Sequence, residues 1–304
     1  MNSNIYYFPL LILIPDFPTS EVERPPFRIS KRLWQTSIFD LATLATKHKL
    51  HLPYQVMDVF LSRCNLELCL TEQASIEEAV ATFQAFRLAL YTSGLSPFIS
   101  PFITTHSINE YSGINSRDSE ILRQKLDPEM AEGLKSGDDT IEAWPFELSF
   151  QCVPLKDGLK LSEGLFADAT AKAVTWMALV AERPLLKVVE DVANSAPKLL
   201  SLDQSLLHLW SALEALFPSV STELSFRIAI YLAQLIASES ERLSCFEKVR
   251  DAYTLRSKIT HGSKRDISAK EWQHTWTLLM DAVNAIVERR NLPSEKELIS
   301  ELLA

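Results

Sequence analysis

One stretch near the C-terminus, YTLRSKITHGSKRD at residues 253–266, combines residue types that could do chemistry. Arg256 and His261 are separated by four residues, and Gly262, which suits the left-handed position that closes a helix, follows the histidine at once. At ~100° per residue, five helical positions place the two side chains about 140° apart. An imidazole can move a proton near neutral pH while a guanidinium holds the charge that develops on phosphate oxygens. The pair therefore suits chemistry at a phosphodiester.

The helix that would carry this pair has an interrupted apolar stripe. Phe246, Val249 and Tyr253 are spaced as one helical face, but the same spacing continues to Arg256 and Thr260 instead of apolar residues. A permanently charged guanidinium is costly to bury unless a partner compensates its charge. The sequence therefore predicts an acidic partner close to Arg256.

Glu214 is the natural candidate for that partner. It shares a helical face with Leu207 and Trp210, so a charged group again interrupts an apolar stripe. The sequence leaves two arginines open as its partner, Arg256 and Arg227. A glutamate in water at the rim of the helices is an equal alternative.

Further residues around the motif could assist phosphate chemistry. Tyr253 could stack on a base, although an aromatic side chain at this spacing is more often part of the core. Ser257 and Lys258 are supporting candidates on the same helix. Basic residues outnumber acidic ones within 246–265, which would let phosphate dock on an otherwise acidic chain, unless they only form a solvated loop. The residues assigned to this contact are Lys258, Lys264 and Arg265.

Composition leaves several classes of protein without support. The chain has 304 residues, 47% of them hydrophobic, and a net charge of -9 with a pI near 5.3, so any nucleic-acid contact has to be local. It contains no glycine-rich phosphate loop, no Ser/His/Asp signature and no paired-carboxylate motif, so an ATPase, hydrolase or dehydrogenase has no residue support. No run of about 18 apolar residues occurs, and no membrane span is expected.

The four cysteines indicate a reducing, cytoplasmic setting. They are too few and too scattered for a disulfide framework. His48 and His51 form an HxxH pattern, followed by the CxxxxC pattern of Cys64 and Cys69, but cysteines five positions apart on a strand would point to opposite faces. Because zinc needs four converging ligands, neither a metal site nor a cofactor is expected.

The first part of the chain, residues 1–158, is predicted to form an α+β domain. Ile5–Ile14 and Asn65–Leu70 are typical of strands, and Ser75–Tyr91 has helical apolar spacing. The polar segment Asn109–Thr140 is predicted to be a long loop. Two further segments with β-type composition are Phe98–Thr105 and Trp144–Val153.

Residues 159–182 are predicted to form a connecting helix, and residues 183–304 an all-α bundle. This last part contains only one glycine, and helix start and stop signals recur along it. Capping boxes are predicted for Ser201 with Gln204, Ser238 with Glu241, and Ser268 with Glu271. The five predicted helices are Pro184 to about Ala196, Ser201 to Pro218, Ser221 or Thr222 to Ile236, Ser238 to His261, and one after Ser268 that buries Trp272, Trp276, Leu279, Val283 and Ile286. Short loops predict antiparallel neighbours.

Three segments together resemble the HEPN superfamily, in particular its Apea-like group. They are WSALEALF at Trp210–Phe217, SFRIAIYLAQLI at Ser225–Ile236 and YTLRSKITHG at Tyr253–Gly262. The resemblance covers about residues 183–290, whereas the N-terminal part resembles no family.

This resemblance implies a four- to five-helix bundle that forms a homodimer and brings two Arg-X4–6-His motifs into one cleft. Active members are metal-independent endoribonucleases, many of them in antiviral defence or in toxin–antitoxin pairs. Arg256 and His261 match the motif and would be catalytic, with RNA as substrate and an antitoxin or regulatory protein as a further partner. Many active members have Asn, Asp or His after the arginine, where this chain has Ser257.

A second class of function stays open. Some relatives keep the bundle only as a dimerisation module, in which the arginine would pair with an acid and the histidine would only cap the helix. Ser257 and the acidic pI favour such a scaffold, whose N-terminal domain would bind a partner or a signal. The intact motif, the basic residues and the LEALF segment favour the nuclease.

Overall fold

The computed structural model describes residues 4–33, 38–111, 141–149, 160–220, 222–264 and 266–304. These residues fall into two compact units. The first contains the described residues up to 83 together with 98–111, 141–149 and 160–167, and the second contains 84–97 and the described residues from 168 onward. Residues 84–97 thus belong to the second unit, whereas the sequence predicts that residues 1–158 form one domain and that the bundle begins at residue 183.

A mixed sheet of seven strands forms the first unit. The strands of this unit are β1 (Asn4–Leu11), β2 (Ile14–Asp16), β3 (Glu21–Arg24), β4 (Phe27–Lys31), β5 (Lys49–Leu50), β6 (Cys64–Gln73), β7 (Phe102–Thr104), β8 (Glu142–Pro145) and β9 (Lys160–Ser162). Their order in the large sheet is β3-β4-β6-β1-β7-β8-β5, with antiparallel neighbours except for the parallel pair β8 and β5. A separate parallel pair joins β2 to β9.

Helices pack against this sheet through apolar side chains. They are α1 (Ile38–Lys47), α2 (Tyr54–Leu61), α3 (Ile76–Thr92) and α4 (Ile108–Tyr111). Phe83 of α3 stacks on Phe8 of β1, with ring centroids 4.4 Å apart. A second apolar cluster joins Leu41 and Met57, from α1 and α2, to Phe102 of β7. The predicted α+β composition of this region is confirmed.

Several N-terminal elements have different ends from those predicted. The strand predicted at Ile5–Ile14 is two strands, because Ile12 adopts a φ of 75° and interrupts the pairing. The hairpin of β3 and β4 and the helices α1 and α2 were not predicted, and only Phe102–Thr104 of the segment Phe98–Thr105 is a strand. The predicted loop Asn109–Thr140 starts inside α4, and its residues from 112 onward lie outside the described residues. The same holds for residues 150–153 of the strand predicted at Trp144–Val153.

Helices make up the second unit almost entirely. They are α5 (Glu163–Glu182), α6 (Leu186–Ser195), α7 (Leu202–Ala215), α8 (Leu224–Ile236), α9 (Arg242–Thr260), α10 (Ala269–Arg289) and α11 (Glu295–Leu303), with the first residues of α5 in the first unit. The predicted start of the connecting helix at residues 159–182 is wrong, because Lys160–Ser162 form β9, but the helix is confirmed from Glu163 onward as α5. Six helices follow it in the described residues, one more than predicted, because the S-x-x-E signature at Ser294 and Glu297 also starts a helix. No helix among the described residues is long and apolar enough to cross a membrane.

The start signals of these helices differ in how well they predict the structure. The capping box of Ser268 and Glu271 is confirmed at the start of α10. Ser201 is the N-terminal cap of α7, but its side chain makes no capping hydrogen bond, so the box with Gln204 is wrong. The predicted start at Ser238 is also wrong, because α9 begins at Arg242 and the Ser238 hydroxyl donates to the Glu241 carboxylate at 2.8 Å instead.

The start of α8 was not predicted correctly either. Glu223, with a left-handed φ of 53°, occupies the cap position that was predicted for Ser221 or Thr222. Ser221 lies outside the described residues. A left-handed residue other than glycine is uncommon, and no sequence signal marks it in advance.

The helices that carry the motif residues are fixed by packing. α9 packs on α8 and α7, and α7 packs on α10. The predicted stripe of α10 is buried throughout, and Trp272 stacks on Trp276 at 5.2 Å. Trp272 Nε1 donates to Ser205 Oγ of α7 at 2.7 Å, which satisfies the buried indole.

A buried carboxyl group in the first unit holds the chain that leaves β7. Glu67 of β6 is 1% exposed and accepts hydrogen bonds from Ser107 Oγ at 2.6 Å and from Ile108 N at 2.7 Å. Burial raises the pKa of Glu67 to about 8, although both hydrogen bonds act to lower it. Burial therefore outweighs the hydrogen bonds, and the carboxyl group is mostly protonated at neutral pH.

We expect Glu67 to make the protein less stable as the pH rises. Its native pKa of about 8 lies above the unfolded value, so its stabilising contribution is complete below the unfolded pKa and is lost as the pH rises through about 8. Urea denaturation of the wild type should show this fall in unfolding free energy, and Glu67→Gln, which stays neutral, should show a flatter profile. Identical pH profiles for the two proteins would contradict the assignment.

Candidate active site

The end of α9 has the geometry that the sequence predicts. His261 is the C-terminal cap, and Gly262 follows with a φ of 71°, in the left-handed region. Gly262 N donates to Ile259 O at 3.0 Å and Ser263 N donates to Lys258 O at 2.9 Å, which are the two hydrogen bonds of a Schellman closure. The helix therefore ends at a defined residue, with His261 directly after its last turn.

The predicted stripe of α9 is only partly buried. Val249 is buried, Tyr253 and Arg256 are half-buried, and Thr260 is exposed. Thr260 lies outside the buried part of the stripe, and its hydroxyl donates to Arg256 O at 3.0 Å on the helix surface. The side chain of Arg256 is 28% exposed, so its charge lies at the border between the core and solvent.

Glu214 compensates this charge, which is one of the alternatives that the sequence left open. Arg256 Nη2 lies 3.1 Å from Glu214 Oε1 and donates to Glu214 Oε2 at 3.4 Å, which joins α9 to α7. The alternative partner Arg227 pairs instead with Glu223, one turn away on its own helix, at 3.6 Å. Arg256 Nε has no hydrogen-bond partner among the described residues. The ion pair therefore fixes the guanidinium through Nη2, while Nε is buried without a partner among those residues.

Tyr253 forms the other side of the arginine site. The Arg256 guanidinium lies over the Tyr253 ring, 5.5 Å from its centroid, and Tyr253 packs edge-on against Trp210 of α7 at 5.1 Å. Burial raises the pKa of the Tyr253 phenol, the Arg256 charge lowers it, and the Glu214 charge raises it again. Tyr253 is thus a packing residue under the arginine, the more frequent of its two predicted roles.

His261 is exposed at the end of the helix. Its side chain forms no hydrogen bond or ion pair within the described residues. Only the backbone of His261 is fixed, through the donation of its N–H to Ser257 O at 3.0 Å. Ser257, half-buried one turn before the histidine, is therefore in backbone contact with it. The imidazole is free to reach a ligand.

The basic residues assigned to phosphate contact have different surroundings. Lys258 is exposed, as predicted for a phosphate ligand or for a solvated side chain. Lys264 forms an ion pair with Glu271 of α10. Arg265 lies outside the described residues. Of the three, Lys258 alone is described with its ammonium group in solvent.

Glu271 is a site residue that the sequence argument missed. It accepts from Ser268 N at 2.9 Å in the capping box of α10 and also pairs with Lys264. The Lys264 ammonium and the Ser268 hydrogen bonds lower the pKa of Glu271 to about 2. The capping box itself was the available signal, because it places a carboxylate at the start of the helix that directly follows the basic loop.

The histidines and cysteines of the first unit do not converge. Within the described ranges no group of three or more His, Cys, Asp or Glu side chains is arranged to hold a metal ion. His51 stacks on Trp144 at 6.0 Å, and His48 Nδ1 accepts from Ile141 N at 3.3 Å. Cys64 packs in the apolar cluster of α1 and α2, whereas Cys69 Sγ accepts from Arg28 Nη2 at 3.4 Å. Each side chain thus has its own structural contact.

Comparison with known proteins adds no relative to this description. The chain matches no protein-family model, no curated protein and no solved structure. The resemblance to the HEPN superfamily is carried by its three sequence segments. The functional argument therefore rests on the side chains of α7 and α9.

We expect the closure of α9 to depend on Gly262. An alanine there would have to adopt a left-handed conformation, although its Cβ would meet no atom within 4 Å. Gly262→Ala should lower the unfolding free energy by about 1 kcal/mol. Gly164→Ala in α5 is the matched control, because its site is equally open and has helical backbone, and it should be neutral or stabilising by about 0.5–1 kcal/mol. The measurement is the unfolding free energy from chemical denaturation. Equal changes for Gly262→Ala and Gly164→Ala would contradict the claim that alanine is strained at position 262.

We also expect the two glutamate–arginine pairs to differ in strength. Glu214→Gln should lower the unfolding free energy by about 1 kcal/mol because the pair it breaks is partly desolvated. Glu223→Gln, which breaks the exposed pair with Arg227, should cost less than about 0.5 kcal/mol. The measurement is chemical denaturation at low and high salt, and a larger loss for Glu223→Gln would contradict the assignment of Glu214 as the compensating charge.

Proposed function

We propose that this protein is a metal-independent endoribonuclease of the HEPN type, which cleaves RNA at a site composed by two copies of the chain. The observation that carries this proposal is the half-buried guanidinium of Arg256, held by Glu214 over Tyr253, on the same helix as the exposed imidazole of His261. This arrangement fixes a positive charge and leaves a proton-transfer group exposed at the end of the same helix.

Arg256 would stabilise the charge that develops on the phosphate. A guanidinium has five N–H donors, and Glu214 contacts only Nη2 of this one. Nε is buried without a partner among the described residues, so the terminal N–H groups of this partly exposed guanidinium that Glu214 does not use are the ones that can donate to a phosphate oxygen without breaking the ion pair. A positioned donor of this kind acts without reorganising when the pentacoordinate phosphorus forms.

His261 would move the proton. The 2′-hydroxyl of the RNA forms a bond to the adjacent phosphorus and gives its proton to an imidazole, while the bond from phosphorus to the 5′-oxygen breaks and that oxygen takes a proton from an acid. The products are a 2′,3′-cyclic phosphate and a 5′-hydroxyl. DNA lacks the 2′-hydroxyl and should not be cleaved.

A second copy of the chain would complete this site. Each chain supplies one His261 from this motif, whereas the reaction uses one base and one acid. α9 also carries Leu243, 71% exposed, and Phe246, which line an apolar cleft of about 390 Å³ with α8 and α11. An exposed apolar surface on the helix that carries the motif is what a homodimer would bury. We place the dimer in the cytoplasm, with an antitoxin or regulatory protein as a further partner, in antiviral defence or a stress response.

A non-catalytic scaffold is the second candidate, and two ion pairs favour it. Glu214 neutralises Arg256 and Glu271 neutralises Lys264, so two of the predicted RNA ligands already have acidic partners. Ser257 follows the motif arginine, where many active relatives of the family have Asn, Asp or His. In this function the helices would only dimerise, and the N-terminal unit would bind a partner or a signal.

Cleavage of total RNA in EDTA separates the two functions. We expect the wild type to produce fragments that end in 2′,3′-cyclic phosphate, and Arg256→Ala and His261→Ala to reduce the rate by about 10²-fold or more. Matched controls are Arg227→Ala, which removes an exposed arginine of α8, and His274→Ala, which removes a histidine of α10 that contacts Lys248 O. Both controls should keep wild-type activity.

The same samples are measured for folding and oligomeric state by circular dichroism and sedimentation. Equal inertness of the wild type and both motif variants, as folded dimers, would overturn the nuclease and leave the scaffold. A strictly monomeric wild type that still cleaves RNA would overturn the composite site alone. Cleavage by His261→Ala at the wild-type rate would remove the histidine from the mechanism.

A further inference from the structure

We propose that the first unit contains a binding site for a small organic cation, at the end of the sheet where β1, β7 and β8 meet the start of α3. A pocket of about 460 Å³ opens there. Its lining includes Asn4, Tyr6, Ile76, Thr105, Glu142 and Trp144. The site belongs to a different unit from Arg256 and His261 and is independent of the nuclease proposal.

The strand register brings the polar lining together. Tyr7 pairs with Thr104 and Thr104 pairs with Ala143, so the next row across the three antiparallel strands is Tyr6, Thr105 and Glu142. Thr105 N donates to Glu142 O at 3.0 Å, and Glu142 N donates to Thr105 Oγ1 at 3.1 Å. Backbone pairing therefore fixes the positions of the phenol and the carboxylate on one face of the sheet.

Two aromatic rings form the wall of the pocket. Trp144 lies two residues after Glu142 on the same strand, so both side chains lie on the same face. The Trp144 and Tyr6 ring centroids are 6.4 Å apart with a tilt of 55°, and His51 stacks on Trp144 at 6.0 Å. Ring faces of indole and phenol attract a cation through their quadrupoles, and indole does so most strongly.

The charge around the pocket is negative. Burial raises the pKa of the Tyr6 phenol, a hydrogen bond with Asn4 lowers it, and the nearby Glu77 and Glu142 carboxylates raise it further. Lys49 is the register partner of Glu142 on β5, yet no ion pair joins Glu142 to any described residue. No lysine or arginine lines the pocket. A half-buried carboxylate without a counter-ion beside aromatic rings favours a cationic ligand.

The Glu142 carboxylate and the aromatic rings of the pocket together determine which class of ligand fits. An anion would meet Glu142 and Glu77 with like charge, and a metal ion lacks a third protein ligand among the described residues. An alkylammonium or guanidinium group can pair with the carboxylate while its apolar surface contacts Trp144 and Ile76. A free small molecule with such a group also fits the pocket volume of about 460 Å³.

The test is calorimetric titration of the full chain with two matched pairs of probes. Choline is compared with its uncharged isostere 3,3-dimethylbutan-1-ol, and butylguanidinium with butylurea. We expect saturable binding of at least one cation and binding of its neutral isostere weaker by about tenfold or more. Glu142→Gln and Trp144→Leu should each weaken cation binding by about tenfold, with Trp144→Phe in between.

The control is Glu23→Gln on the edge strand β3, which makes the same charge change at an exposed position and should leave binding unchanged. Unfolding midpoints of all variants are measured, and if Trp144→Leu does not fold, Glu142→Gln and Trp144→Phe carry the comparison. The proposal is overturned if no cation binds. It is equally overturned if the cations bind no better than their neutral isosteres, or if Glu142→Gln binds as the wild type does.

Discussion

A guanidinium can lie at the edge of an apolar core only where another group compensates its charge, and the arrangement of α7 and α9 depends on this constraint. Arg256 interrupts the stripe of α9, and Glu214 interrupts the stripe of α7. Each would be costly alone, but together they form one contact that fixes the two helices in register. Tyr253 and Trp210 fill the space beneath the pair, so apolar packing and charge compensation hold the same guanidinium.

The same constraint is met differently elsewhere in the second unit. Arg87 is completely buried, and its Nε donates to the amide oxygen of Asn194 at 2.6 Å. The nearby Glu190 accepts from Trp176 Nε1 at 2.9 Å and from Lys187 Nζ at 2.5 Å. Arg87, Asn194 and Glu190 are almost completely buried, whereas Arg256 and Glu214 are partly exposed. A ligand in solution can therefore reach the pair of Arg256 and Glu214 more easily than the buried contact of Arg87 with Asn194.

Local signals predicted what depends on a few consecutive residues. The end of α9 at Gly262, the capping box of α10 and the buried stripe of α10 all follow from short-range geometry, and all are confirmed. The need for an acidic partner of Arg256 also follows from one residue's charge. The choice of Arg256 over Arg227 does not, because it depends on the packing of α9 on α7 in three dimensions.

Other features could not be predicted because they arise from tertiary contacts. Thr260 continues the spacing of the stripe but is exposed, because the last turn of α9 buries the adjacent Ile259 instead. Asp266 is the acidic residue closest to Lys264 in sequence, but the partner of Lys264 is Glu271 from the next helix. Glu223 replaces the expected serine or threonine as a cap in a conformation that side-chain type alone does not favour.

The double role of Glu271 links the order of the loop before α10 to the accessibility of the Lys264 ammonium group. Its carboxylate both caps α10 and neutralises Lys264. A polyanion that binds Lys264 competes with Glu271 for the ammonium group, so part of its binding free energy is offset by the weaker restraint on the loop before α10. By reciprocity, whatever loosens that loop exposes the lysine to the polyanion. The loop after His261 is thus a point where ionic strength would act on binding and on local order at the same time.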